Sequence, residues 1–139
     1  MVNIKDYPDV EVPEGDKLEL LFARQRELIE KYESIERANG LLQTSDVPVK
    51  LDSYQGQARL KDFAWRITEE LGEAMNCLKM KPWKQTPQVT DREHYLEELV
   101  DAAHFFFELL ILSGFTPAEL VFRYLQKWNV NKFRQRSQY

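Results

Sequence analysis

The stretch Ile67-Thr68-Glu69-Glu70-Leu71-Gly72-Glu73-Ala74-Met75 decides how the chain reads. Its apolar residues extend a series, Leu60, Phe63, Ala64, Ile67, Leu71, Ala74, Met75 and Leu78, spaced by three and four. That spacing is the buried stripe of an amphipathic helix, not the alternation of a strand. The helix is predicted over roughly Gln57 to Met80, with Pro82 closing it. The same stretch carries Glu70 and Glu73, three apart and so on one side of the helix. At 100° per residue Glu70 lies beside the apolar stripe rather than opposite it.

Working outward, the next segment repeats the design in Glu97-Glu98-Leu99-Val100-Asp101. Its stripe is Leu96, Leu99, Val100, Ala103, Phe106, Phe107 and Leu110. The spacing predicts a helix opened by Thr90 and Glu93 as a capping box and running to Ser113, with Gly114 past its end. Upstream, Asp16 with Glu19 opens a helix that carries Leu18, Leu21, Phe22, Leu28, Ile29, Tyr32 and Ile35, and Asn39-Gly40 stops it. Downstream, Thr116, Pro117 and Glu119 mark the clearest start, followed by Leu120, Val121, Tyr124, Leu125 and Trp128. Residues 1–15, with Pro8, Pro13 and Gly15, read as an extended arm. Residues 40–55 read as a partly packed loop, and residues 81–89 as a basic, proline-bounded one. No strand pattern of useful length competes, so the expectation is an all-α bundle of four to five helices.

The 139 residues suit one domain of common size. Net charge is only −4, which argues against a bulk electrostatic binder of nucleic-acid polymers. The one cysteine, Cys77, cannot form an internal disulfide or join a Cys-based zinc site, and this fits a reducing, cytoplasmic setting. Nothing resembles a signal peptide, and no uncharged apolar run is long enough to span a membrane. Residues 1–50 hold 11 acids and 7 bases and so account for the whole net charge. The remainder is neutral, yet six of its acids sit in the two groups already named. From Arg123 onward the chain carries Arg123, Lys127, Lys132, Arg134 and Arg136 with no acid.

Packing the two stripes together brings Glu70, Glu73, Glu98 and Asp101 face to face. Crowded carboxylates at a dry seam repel one another by several kcal/mol per close pair, on the order of the Coulomb energy at intermediate dielectric. A divalent cation makes such a site tolerable, and an all-oxygen donor set favours Mg²⁺ or Mn²⁺. A solvated acidic face on a non-catalytic helical interaction module is the plainer reading. His104, three residues after Asp101, also raises a carboxylate-bridged diiron site, but no histidine matches it on the preceding helix.

Lys127, Asn131 and Arg134 form one line along the last helix, suited either to a polyphosphate or to the helix dipole. Trp83, in the loop with Lys81 and Lys84, serves either to stack on a base or to pack at a helix end. Gln25, on the apolar line of the first helix, needs a partner, whether backbone or a base edge. Eight phenylalanines and three tryptophans in so short a chain leave apolar surface for a partner copy.

Taken together, these motifs resemble the all-α nucleoside triphosphate pyrophosphohydrolase superfamily, which includes dimeric dUTPases, MazG and phage dUTPase/dCTPase-like enzymes. The resemblance rests on the two acidic motifs in this order, on Tyr124-Leu125-Gln126-Lys127 with Asn131 and Arg134-Gln135, and on Arg24-Gln25-Arg26-Glu27-Leu28. It implies a single pyrophosphohydrolase domain over residues 16–139, working as a homodimer or homotetramer. The implied metal ligands are Glu70, Glu73, Glu98 and Asp101, with Glu69 and Glu97 as tuning neighbours and Glu70 as the catalytic carboxylate. Lys127, Asn131 and Arg134 match phosphate-binding positions, and Gln25 matches a glutamine near the base. Leu28 stands where dUTP-specific members often carry asparagine, so the implied substrate is dUTP or dCTP, converted with Mg²⁺ to monophosphate and pyrophosphate.

Overall fold

The computed structural model describes residues 9–41, 44–86 and 88–137. Residues 1–8 of the expected arm therefore lie outside the described residues. Four helices follow in order: α1 (Lys17–Ala38), α2 (Tyr54–Cys77), α3 (Arg92–Leu112) and α4 (Pro117–Arg136). Among the described residues there is no strand, and the fold is all-α. No single helix among them is long and apolar enough to cross a membrane.

Local chemistry sets the helix ends. Asp16 caps α1 by accepting from the backbone N–H groups of Leu18 (2.9 Å) and Glu19 (3.1 Å). Thr116 and Glu119 form the expected capping box on α4, with Pro117 inside the first turn. Two starts differ from expectation. Helix α2 begins three residues early because Ser53 caps it, accepting from the Gly56 N–H at 3.0 Å. It also stops at Cys77 rather than Met80. Helix α3 is capped by Asp91, not Thr90; the Asp91 carboxylate accepts from Glu93 and His94, and the Thr90 hydroxyl accepts instead from Lys79. A carboxylate is the stronger partner for a positive helix end, which explains the one-residue shift.

Helix α3 is the central element, packed most extensively on α2 and also on α1. Phe22 and Ile29 of α1 meet Ile111 of α3 in the core, flanked by Leu18, Phe107, Leu110 and Leu120. Phe22 and Phe107 rings stand 5.3 Å apart, and Phe63 of α2 meets Phe105 of α3 edge-on at 6.1 Å. Each fully buried phenylalanine contributes about 1.5–3 kcal/mol by leaving water. Because Phe63 pairs with Phe105 while Glu73 pairs with Glu98, the two helices run antiparallel and place both acidic motifs at one level.

The loop between α1 and α2 is partly packed, as expected: Val49 is buried and its N–H donates to the Leu112 carbonyl at 2.8 Å. Helix α4 behaves differently from the other three. Pro117 is buried and Leu120 reaches the core, but every described residue from Val121 onward is exposed. The face carrying Val121, Tyr124, Leu125 and Trp128 therefore has no cover among the described residues.

Candidate active site

Antiparallel packing of α2 on α3 brings carboxylate oxygens of Glu70, Glu73 and Glu98 within 4.8 Å of one another. Glu98 is 5% exposed and Glu70 half-buried, while Glu73 and Asp101 are exposed at the rim. The crowding shows in the acidities. Burial first, then the charges of Glu73, Asp101 and Glu98, pushes the Glu70 carboxyl up to about 7. A hydrogen bond to Glu98, followed by the Glu98 charge, raises Glu73. Asp101 is raised by burial and then by Glu98, while His104 pulls it the other way. In each case neighbouring carboxylates favour the protonated form, and for Glu70 and Asp101 burial is the larger cause. An oxygen-only donor set of this kind is suited to a hard divalent ion.

Glu69 is exposed, and its charge is felt by Glu73; Glu97 is half-buried, and its charge is felt by Asp101. Both stand beside the cluster rather than in it. His94 reaches it directly, with Nε2 2.8 Å from Glu98 Oε1. His104 turns away toward α1 instead, placing Nδ1 2.8 Å from Gln25 Oε1.

A cleft of about 540 Å³ opens beside the cluster between α1, α2 and α3. Glu70 belongs to both features; Asp101 lines the cleft and stands outside the 4.8 Å group, although its charge is felt by Glu70 and Glu73. Leu28, Tyr32, Ile35 and Phe105 give the cleft apolar walls, and Gln25, Arg66, His104, Glu36 and Glu108 give it polar groups. Its size and mixture suit a small organic ligand with a few recognition points. A smaller hollow of about 300 Å³, lined by Glu73, Lys79, His94 and Glu98 among others, lies against the same acids.

Gln25 is 2% exposed and finds its partners among side chains of α3. Its Nε2 donates to Glu108 Oε2 at 3.1 Å, and its Oε1 faces His104. Glu108 is itself 2% exposed; burial pushes its carboxyl up to about 7, against the pull of Arg66 and of the Gln25 hydrogen bond. Around it runs an ion network. Arg59 pairs with Glu36 at 3.0 Å and Glu33 at 3.7 Å, and Arg66 pairs with Glu36 at 3.2 Å and Asp62 at 2.7 Å. The Arg66 guanidinium also lies 4.4 Å from the Phe63 ring centroid.

Glu108, Arg59, Arg66, Glu36 and His94 escaped the sequence reading. Two carried a signal. Glu108 is the lone acid in Phe105-Phe106-Phe107-Glu108-Leu109-Leu110, and a charge inside such a run needs a buried partner. His94 sits four residues before Glu98, one helical turn away.

Other expected site residues are not gathered here. Trp83 is 76% exposed, with Lys81 Nζ 5.9 Å from its ring centroid, and does not line the cleft. Lys127, Asn131 and Arg134 lie on exposed α4, which packs on α1 and not on α2 or α3 along the backbone. One chain alone does not place that line against the acids.

A family model described as dUTPase matches residues 17–112. No curated protein and no solved structure matches the chain. The matched span takes in α1, α2 and α3, and with them the acid cluster and the cleft.

Proposed function

The chain belongs to the dUTPase family, a family of nucleotide hydrolases, and from that premise we propose that it is a Mg²⁺-dependent pyrophosphohydrolase acting on dUTP or dCTP. The observation that carries this reading is that Glu70 belongs both to the carboxylate cluster and to the cleft, whose lining also includes Asp101. A nucleoside held in the cleft has its phosphates delivered to the acids.

Glu70, Glu73, Glu98 and Asp101 would hold Mg²⁺, with Mn²⁺ as a substitute. The bound ion supplies charge neutralisation at phosphate oxygens and a more acidic water. The protein does the rest. Glu70, which stands in the cluster and at the cleft, takes a proton from the attacking water. The water oxygen bonds to the α-phosphorus, the bond to the α–β bridging oxygen breaks, and pyrophosphate leaves. Gln25 bonds the base, and Leu28, Tyr32 and Phe105 exclude water from it. Glu69 and Glu97 add negative charge behind the ligands.

Lys127, Asn131 and Arg134 bind the β and γ phosphates from a second copy of the chain. The exposed apolar face of α4, with Val121, Tyr124, Leu125 and Trp128, supports a homodimer or homotetramer that covers it. A buried free Cys77 supports work in a reducing compartment such as the cytoplasm.

The test is a panel of dUTP, dCTP, dTTP, dATP, dGTP and ribonucleotides with Mg²⁺, followed for monophosphate and pyrophosphate. Release from dUTP or dCTP, lost in Glu98→Gln, supports the reading. Equal release by Glu98→Gln overturns the metal assignment.

A further inference from the structure

A glutamine side-chain amide is nearly the same shape after a half-turn, but the turn exchanges its donor and its acceptor. Uracil and cytosine differ in the same exchange: at position 4 and its neighbouring ring nitrogen, acceptor and donor become donor and acceptor. An amide free to turn therefore serves both bases, and an amide that is held serves one.

Gln25 is held. Glu108 Oε2 receives the Nε2–H at 3.1 Å, in a place where both residues are 2% exposed. An ionised carboxylate accepts only, so Nε2 must face it. His104 Nδ1, 2.8 Å from Gln25 Oε1, must then carry the proton that this oxygen accepts. A half-turn would set Oε1 against a carboxylate oxygen and Nε2 against an N–H, with no water to relieve either. Each polar atom of Gln25 has one partner and room for one more hydrogen bond, and the residue lines the cleft.

We propose that Glu108 sets the base preference of the site by locking the Gln25 amide in one orientation, so that the cleft takes one of the two pyrimidine edges and rejects the other. The inference rests on the reading of the cleft as the base pocket. Glu108 is a positioning residue: it acts through Gln25. Burial pushes its carboxyl up to about 7 against the pull of Arg66 and Arg59, so the ionised form, which is the form that locks, prevails above that pH.

The experiment compares kcat/KM for dUTP and dCTP, with Mg²⁺ at about pH 8, in wild type, Glu108→Gln and Glu108→Asp. The glutamine variant keeps the shape but offers a donor or an acceptor, so Gln25 turns either way. The aspartate variant keeps the charge on a shorter arm and carries the test if the glutamine variant fails to fold. The expected result is a wild-type preference of about 10-fold or more that falls toward unity in both variants. A purely structural Glu108 would lower both substrates equally; an unchanged ratio overturns the inference while leaving the reading of the site intact. A wild type that does not discriminate between the two overturns it as well. A wild type that hydrolyses neither nucleotide overturns the reading of the site, and this inference with it.

Discussion

His94 and Glu98 stand one turn apart on α3 with Nε2 and Oε1 2.8 Å from each other, and Glu98 is the most buried of the clustered carboxylates. The imidazole fixes how a buried acid presents its oxygens to the other two. Such supporting contacts are worth about 10–100-fold in metal affinity or activity at metal sites. His94→Ala is therefore expected to weaken Mg²⁺-dependent turnover by about that factor with unchanged helical circular dichroism. Unchanged Mg²⁺ dependence would show that His94 is incidental.

The metal-free protein should lose stability as pH rises. Glu70 and Glu108 stand at about 7 in the fold against an ordinary 4.5, so the native state binds more protons between those values. The favourable contribution is complete below about 4.5 and is lost as pH rises through about 7. The melting temperature of chelator-treated protein should fall by about 3 °C or more between pH 5 and pH 8. Saturating Mg²⁺ should offset the fall, because it binds the ionised carboxylates, and Glu70→Gln should flatten it. A metal-free melting temperature that climbs over this window would contradict the electrostatic account.

Two glycines of α2 should respond in opposite ways. A Cβ at Gly56 would lie 2.3 Å from the Lys50 carbonyl oxygen, whereas one at Gly72 meets nothing within 4 Å. Gly56→Ala should cost about 1–3 kcal/mol through overpacking. Gly72→Ala should stabilise by about 0.5–1 kcal/mol, the ordinary difference inside a helix. Urea denaturation separates the two signs.

Phe63 is fully buried against Phe105 and under Arg66, and it holds α2 on α3. Phe63→Ala should cost about 3–5 kcal/mol, and it should also loosen the cluster, since the same packing aligns the carboxylates. Calorimetry with and without Mg²⁺ reads both effects.

Much of this was legible in the sequence because it depends on near neighbours. The Thr116-Pro117-Glu119 start is a contact over three residues, and the pairing of Glu70 and Glu73 with Glu98 follows from two stripes that must pack. The α2 start was hidden because Tyr54, Gln55 and Gly56 continue no apolar stripe, and Gly56 reads as a breaker until Lys50 is seen folded against it. The α3 start was misplaced because Thr90 and Asp91 are both good caps, and only the fold assigns Thr90 to Lys79. Glu108 was hidden for a longer-range reason. Its partner Gln25 is 83 residues away, and charge alone argues for the surface. The last helix shows a limit of another kind: its stripe is real, but among the described residues it stays exposed.

The central claim is that the α2–α3 carboxylates and the adjoining cleft direct water to the α-phosphorus of a pyrimidine deoxynucleoside triphosphate. The most direct measurement is turnover of dUTP and dCTP with Mg²⁺ in ¹⁸O-labelled water, with the products resolved by mass. The account predicts label in the monophosphate, unlabelled pyrophosphate and no turnover under chelation. Labelled orthophosphate with a nucleoside diphosphate, or no turnover of either nucleotide in Mg²⁺, would contradict it.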